Sequence, residues 1–137
     1  MTPGPFFIKP IGFVRLRDER SFIEIMPDYR DAMDGLDGFS HINVLFWFHE
    51  NDHPEGRSVL KVHPRKDPNN PLTGVFATHS PLRPNLIGIT LCRIQAIDGT
   101  RIEVDAIDAR EGTPVIDIKC FIPTSRPLKS LRLPEWV

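Results

Sequence analysis

The sequence predicts a mainly β protein: a small closed or nearly closed β-barrel with one short helix and long loops. Fourteen Pro and nine Gly are spread along 137 residues, the punctuation of many short elements joined by turns. Between those turns lie short alternating or β-branched runs, about seven of which suit strands. The 40% hydrophobic content supplies one core, whereas two domains would each be marginal. A single domain over residues 1–137 is expected, with 1–6 and 126–137 as extended tails.

Each element follows from its own pattern. Ile11–Leu16 and Ser21–Ile25 are short apolar or alternating runs, and Ile42–Phe48 is a longer one rich in β-branched and aromatic side chains, so all three suit strands. In the last of them Trp47 should point opposite to Phe46 and Phe48, because successive strand residues face opposite sides. Pro27–Leu36 carries Pro and Asp in its first turn and Gly35 near its end, the start and stop signals of a short helix. Leu91–Ile97 and Arg101–Ile107 suit strands, and the Asp98-Gly99 pair between them favours a two-residue type I′ hairpin. Val115–Lys119 adds an alternating strand before Pro123.

Composition and missing motifs exclude several function classes. No Gly-x-Gly occurs, so the glycine-rich loops that bring backbone close to nucleotide phosphates are absent. A net charge of −1 argues against a general polyanion binder, whose affinity rests on neutralising many phosphates. Charge is nevertheless uneven: Asp28, Asp31, Asp34 and Asp37 make the early third acidic, while Lys119, Arg126, Lys129 and Arg132 fall in a stretch without a carboxylate. That stretch is either a local basic surface or an ordinary solvated tail.

The first residues lack a basic n-region and an apolar h-region, and the longest apolar run, Val44–Phe48, is far short of a bilayer span. A cytoplasmic protein without a membrane segment is expected. Cys92 and Cys120 form no CxxC and are expected to be reduced core thiols.

One motif match is rejected on local chemistry. His49-Glu50-Asn51-Asp52-His53 fits H-E-x-x-H, in which one helix face presents two imidazoles to zinc. Here the match follows a strand-like run, contains the turn formers Asn51 and Asp52 and continues into Pro54. The required i, i+4 geometry is not expected, and no metal site is predicted.

The richest segment, Gly74–Gly88, reads G-V-F-A-T-H-S-P-L-R-P-N-L-I-G. Thr78, His79, Ser80, Arg83 and Asn85 crowd hydrogen-bonding groups onto a stretch stiffened by Pro81 and Pro84, between bends at Gly74 and Gly88. Such a loop is either a ligand platform or a structural loop that satisfies its own backbone, and the residue types leave both open.

This segment resembles the G-V-F-A-T-R-S-P-x-R-P-N-P-I-G signature of the TrmO (TsaA-like) family of tRNA adenosine N6-methyltransferases. Three further blocks fall in the family's order: Asp28-Tyr29-Arg30-Asp31-Ala32 with Gly35-Leu36, then Phe39-Ser40-His41 leading into Phe46-Trp47-Phe48-His49, and Asp108 with Gly112-Thr113-Pro114-Val115. The resemblance implies a small β-barrel that binds S-adenosyl-L-methionine, works as a homodimer and methylates N6 of threonylcarbamoyladenosine beside the tRNA anticodon. It also implies cofactor contacts at His49, Glu50, His79, Leu91, Asp108, Ala109, Arg110 and Glu111. No catalytic base is assigned.

The chemistry of those residue types agrees with the implied ligand. A sulfonium and an amino acid head group favour the carboxylates of Glu50, Asp108 and Glu111, and an adenine needs an apolar wall such as Leu91. Each has a plainer alternative: His49 as a strand cap, Leu91 as core, residues 108–111 as a polar turn. Arg83 and Asn85 suit phosphate and base edges of an anticodon loop, with His41, Arg30, Lys61, Arg65 and Lys66 as weaker candidates. Alternatively Arg83 and Asn85 brace the loop.

The sequence departs from the family pattern in four places. His79 stands where the signature has Arg, so a fixed positive charge is lost. Leu86 replaces a Pro, which should loosen the loop. Nothing near Arg17–Arg20 matches a Pro-Arg-Gln segment of longer members, and the 137 residues hold no counterpart of their C-terminal domain. Besides the tRNA methyltransferase, two alternatives stay open: a methyltransferase with another substrate, and a cofactor- or RNA-binding module without turnover.

Overall fold

The computed structural model describes residues 2–124 and 126–137, so the first residue of the expected N-terminal tail lies outside the described residues. The chain forms two compact units. The first, Met1–His49 with Ile87–Phe121, holds β1 (Gly12–Arg17), β2 (Arg20–Ile25), β3 (His41–Trp47), β6 (Ile87–Asp98), β7 (Arg101–Val104) and β8 (Pro114–Cys120). The second, Glu50–Leu86 with Ile122–Val137, holds α1 (Pro54–Arg57), β4 (Lys61–Val62) and β5 (Thr73–Gly74).

In the first unit six strands close into an antiparallel barrel in the order β1-β2-β7-β6-β3-β8, which leaves no open sheet edge. Closure is narrow, since β1 and β8 share only the pairs Gly12↔Val115 and Phe13↔Pro114. Strand alternation puts Val14, Ile23, Ile25, Ile42, Val44, Phe46, Ile102, Val104 and Val115 into one buried cluster with Cys92. Phe46 and Phe48 meet edge to face at 5.5 Å between ring centroids, while Trp47, on the opposite side of the strand, is half-buried. On the barrel's outer face the Arg101 and Arg20 guanidinium groups lie 4.0 and 5.0 Å from the Phe22 ring, and Arg20 pairs with Glu103 through two hydrogen bonds of 2.8 and 2.9 Å.

The mainly β barrel agrees with the sequence; several boundaries do not. Pro27–Met33 is a 3-10 helix, followed by a second at Leu36–Gly38, in place of the single short helix expected. Gly35 separates them at φ +84°. Neither turn has a fully buried residue, and Tyr29, Met33 and Leu36 only lean on the core, so there is little apolar face to reward α-helical propagation. Strand β6 begins at Ile87, inside the signature segment, and β7 stops at Val104.

The β6–β7 turn also shifts. Asp98 pairs with Arg101, so the loop is Gly99-Thr100, with only Gly99 at positive φ (61°). That is the pattern of a type II′ turn, not the type I′ turn expected at Asp98-Gly99. The left-handed pair lies instead in the β1–β2 turn, at Asp18 (φ 50°) and Glu19 (φ 62°).

Ile42 pairs with Cys92 on one side and Cys120 on the other. The Cα atoms of the two cysteines therefore sit two strand spacings apart, about 9–10 Å, beyond the reach of a disulfide. Both are free, and only Cys92 is fully buried. Cys120 is half-buried, so the core-thiol expectation holds for one of the two.

The H-E-x-x-H residues do not share a helix. His49–Asn51 is a 3-10 turn and α1 starts at Pro54. His53 caps α1, its Nδ1 accepting the Gly56 N–H at 3.0 Å.

Candidate functional site

Within the barrel unit, the candidate residues lie on the chain that leaves β7 and on the strand beside it. Asp105 Oδ1 accepts the backbone N–H groups of Arg93 at 2.9 Å and Ala106 at 2.8 Å, and the Asp105 N–H donates to Arg93 O at 3.0 Å. The bond from Arg93, helped by that from Ala106, holds the Asp105 carboxyl below the usual carboxylate range. Next, Cys92 Sγ donates to Ala106 O at 3.2 Å. Burial pushes this thiol up to about 12, with Asp105 adding to the shift, which keeps it a protonated donor. The Asp108 N–H then donates to Thr90 Oγ1 at 3.4 Å. Residues 105–108 thus run beside β6 without a regular ladder, and Asp105 explains why β7 ends where it does.

The four candidates after β7 separate into different roles. The Asp108 carboxylate is exposed and makes no hydrogen bond or ion pair among the described residues. Ala109 packs against the core cluster. Arg110 is exposed, and its carbonyl accepts the Thr113 N–H at 3.1 Å, closing a turn in which Gly112 takes φ +79°. Glu111 is tied to β1: Oε2 accepts the Leu16 N–H at 2.6 Å, and Oε1 lies 3.5 Å from Arg15 Nη1.

Leu91 is 50% exposed, so its default assignment to the core is wrong. It continues an outward row with Ile87 and Ile89 on β6, also exposed. His49 is exposed at the end of this unit, directly after β3.

In the second unit, the signature loop is braced from within. Val75 and Leu86, 2% and 0% exposed, pin its two ends; Leu86 thus adds burial where the proline's stiffness is missing. Thr78 Oγ1 donates to Val75 O at 2.9 Å and accepts the Ser80 N–H at 3.1 Å, and Ser80 Oγ accepts the Leu82 N–H at 3.1 Å. Arg83 Nη1 donates to both Thr78 O and Ser80 O at 3.1 Å. Arg57 donates from Nε to Pro84 O at 3.1 Å and from Nη2 to Asn85 Oδ1 at 3.5 Å. Asn51, next to the exposed Glu50, donates from Nδ2 to Pro81 O at 3.4 Å. These bonds give Arg83 and Asn85 bracing contacts and leave His79 exposed.

Sequence patterns did not single out Thr90, Asp105 or Arg57, and marked Asn51 only as a turn former. Thr90 carried a faint signal as one hydroxyl in an apolar strand; the others act on partners remote in sequence. An open depression of about 400 Å³ lies elsewhere, lined by Arg30, Asp31, Met33, Asp34, Gly35, Asp37, Ile97 and Gly99. It contains none of the predicted cofactor residues.

A closed antiparallel barrel that carries its polar candidate groups on connections is an architecture suited to ligand binding. The family model described as the tRNA-methyltransferase O N-terminal domain matches residues 9–125, and the chain belongs to that family. It is 50% identical over 116 residues to a probable S-adenosyl-L-methionine-binding protein of Pyrococcus horikoshii, covering 85% of this chain and 82% of the relative. It is 47% identical over 88 residues to the human tRNA (adenine(37)-N6)-methyltransferase, covering 64% of this chain and 19% of that protein. The crystal structure of TrmO from Pseudomonas aeruginosa superposes with a TM-score of 0.69 at 27% identity, over 94% of this chain and 62% of that one. The chain thus spans most of the archaeal relative but under two thirds of the solved TrmO.

Proposed function

We propose that this chain binds S-adenosyl-L-methionine and methylates N6 of a threonylcarbamoyladenosine beside the tRNA anticodon. The observation that carries the proposal is membership of the TrmO N-terminal family over residues 9–125, with half the aligned residues shared with a relative named for binding this cofactor. The human relative's name supplies the tRNA adenine N6 acceptor.

The donor set fits the cofactor. The unpartnered Asp108 carboxylate and the exposed Glu50 suit the sulfonium and amino acid ends, and the half-exposed Leu91 offers an apolar wall for adenine. His49, His79, Ala109 and Arg110 complete the proposed binding set, while Glu111 serves it by holding the turn to β1. When bound, the cofactor supplies the methyl group on its sulfonium. The protein's share is to hold the acceptor nitrogen in line with it and exclude water, so positioning is the main source of rate. A homodimer is part of this reading, supported by the outward apolar row Ile87, Ile89 and Leu91 on β6, as is a cytoplasmic location. No helix among the described residues is long and apolar enough to cross a membrane.

A second reading, a binding module without turnover, draws on the archaeal relative's name. Calorimetry with S-adenosyl-L-methionine tests the shared premise, and transfer of labelled methyl to tRNA bearing threonylcarbamoyladenosine separates the two. Cofactor binding without label transfer would leave the module; no cofactor binding would end both.

A further inference from the structure

We propose that Phe76 is a stacking platform for a single-stranded RNA base, and that Lys61, Arg65 and Lys66 of the adjoining hairpin hold neighbouring phosphates. This rests on the tRNA substrate proposed above and assigns its contact to residues other than Arg83 and Asn85.

Phe76 is 85% exposed, more than any other large hydrophobic side chain outside the first ten residues. The loop holds it there. Val75 is buried, its N–H donates to Leu60 O at 2.9 Å, and both the N–H and the hydroxyl of Thr78 return to Val75 O at 3.1 and 2.9 Å. With Val75 fixed inward, the single 3-10 turn Val75–Ala77 presents the next ring outward. A single exposed apolar residue needs no explanation, but an aromatic ring on a rigid loop loses little freedom when a base stacks on it.

The hairpin beside it carries the charge that RNA requires. Lys61 lies opposite Gly74 in the β4–β5 pair, two residues before Phe76. Residues 60–76 hold Lys61, Arg65 and Lys66 against Asp67 alone, a balance of 3 − 1 = +2 in a chain whose net charge is −1. Asp67 is occupied in accepting the Asn69 N–H at 2.9 Å. None of the three cations has an ion pair among the described residues.

Arg65 and Lys66 are also consecutive left-handed residues, at φ 60° and 58°, a conformation unfavourable for any residue with a Cβ. His63 Nδ1 donating to Asn70 O and Asn70 Nδ2 donating to Pro64 O, both at 2.8 Å, hold the loop in it. Strain kept at two exposed cations is the kind of outlier that points to function. The exposed Leu60 and Leu72 would equally suit a protein partner; the uncompensated positive charge favours RNA.

The test compares a synthetic anticodon stem-loop with a fully paired RNA duplex of equal length, using the full chain. Phe76→Ala should weaken stem-loop binding about tenfold with little change for the duplex, and Phe76→Trp should restore it. Lys66→Ala should weaken both RNAs and lower the salt dependence on single strands by about 0.7 in slope. Circular dichroism checks that each variant folds. Wild-type binding that Phe76→Ala leaves intact, or weakens equally for both RNAs, overturns the stacking role alone. A dimer that Phe76→Ala turns into a monomer, with RNA affinity unchanged, overturns it in favour of self-association. Failure of the wild type to bind either RNA removes the tRNA reading as well.

Discussion

Glu111 accepts the backbone N–H of Leu16 across 95 positions of sequence, so a carboxylate of the type that suits the cofactor also joins the 105–113 connection to β1. Its partner in charge, Arg15, also pairs with Glu24 at 3.3 Å. Glu111→Ala removes the acceptor and one side of that network, and a loss of about 1 kcal/mol is expected from a charge-assisted bond on a half-exposed surface. Glu111→Gln keeps an acceptor and should retain most of the stability. Urea unfolding of the two variants checks the difference.

Asp105 should make stability depend on pH in the acid range. Its folded carboxyl lies below the ordinary 3.8 because the Arg93 and Ala106 N–H groups bind the ionised form. The stabilisation is therefore fully present above pH 3.8 and is lost as pH falls through the lower folded value. The stability gap between wild type and Asp105→Ala should be constant from neutral pH down to about 4 and close below it. A gap that widened on acidification would contradict the geometry.

Gly88 lies against two rings. A Cβ built on it would stand 2.5 Å from Phe46 Cε2 and 2.7 Å from Phe48 Cζ, so Gly88→Ala should cost roughly 1–3 kcal/mol by overpacking. Thermal unfolding measures the cost, and Phe48→Leu in the same chain should recover part of it.

Arg83 should act on loop order. Arg83→Ala leaves Thr78 O and Ser80 O without their guanidinium donor, so the amides of Ser80 and Leu82 are expected to exchange hydrogen faster while the barrel amides keep their rates. Equal rates in both proteins would show that Arg83 does not brace the loop.

Glu19 holds φ 62° in the β1–β2 turn, the second left-handed position of a type I′ hairpin. Glu19→Gly removes the Cβ penalty and should stabilise the protein by roughly 0.5–1 kcal/mol, seen as a higher Tm.

The legible part of the fold was what local chemistry decides. Period-two patterns located β1, β2, β3 and β8 within a residue or two, and Gly35 marked a helix stop that the structure keeps at φ +84°. Misjudged elements depended on remote partners. Pro27–Met33 has α-helix signals but little apolar face to bury. The strand pattern from Arg101 runs on to Ile107, yet β7 is cut short at Val104 because Asp105 turns its carboxylate to the neighbouring strand.

By itself the sequence determined the β-rich class, the stiff polar loop at Gly74–Gly88 and the residue types that suit the ligand. Only the tertiary structure decided which of those residues are available. Asp108 and Glu111 are alike in chemistry and three positions apart, yet one carboxylate is unpartnered and the other is bound to β1. Along β6, Gly88 and Cys92 turn inward while Ile87, Ile89 and Leu91 face out, the reverse of what hydrophobicity suggests. The reason is physical: alternation along a strand sets two faces, but which one is buried depends on the space left by side chains from other strands. Here the Phe46 and Phe48 rings already fill the space in front of Gly88.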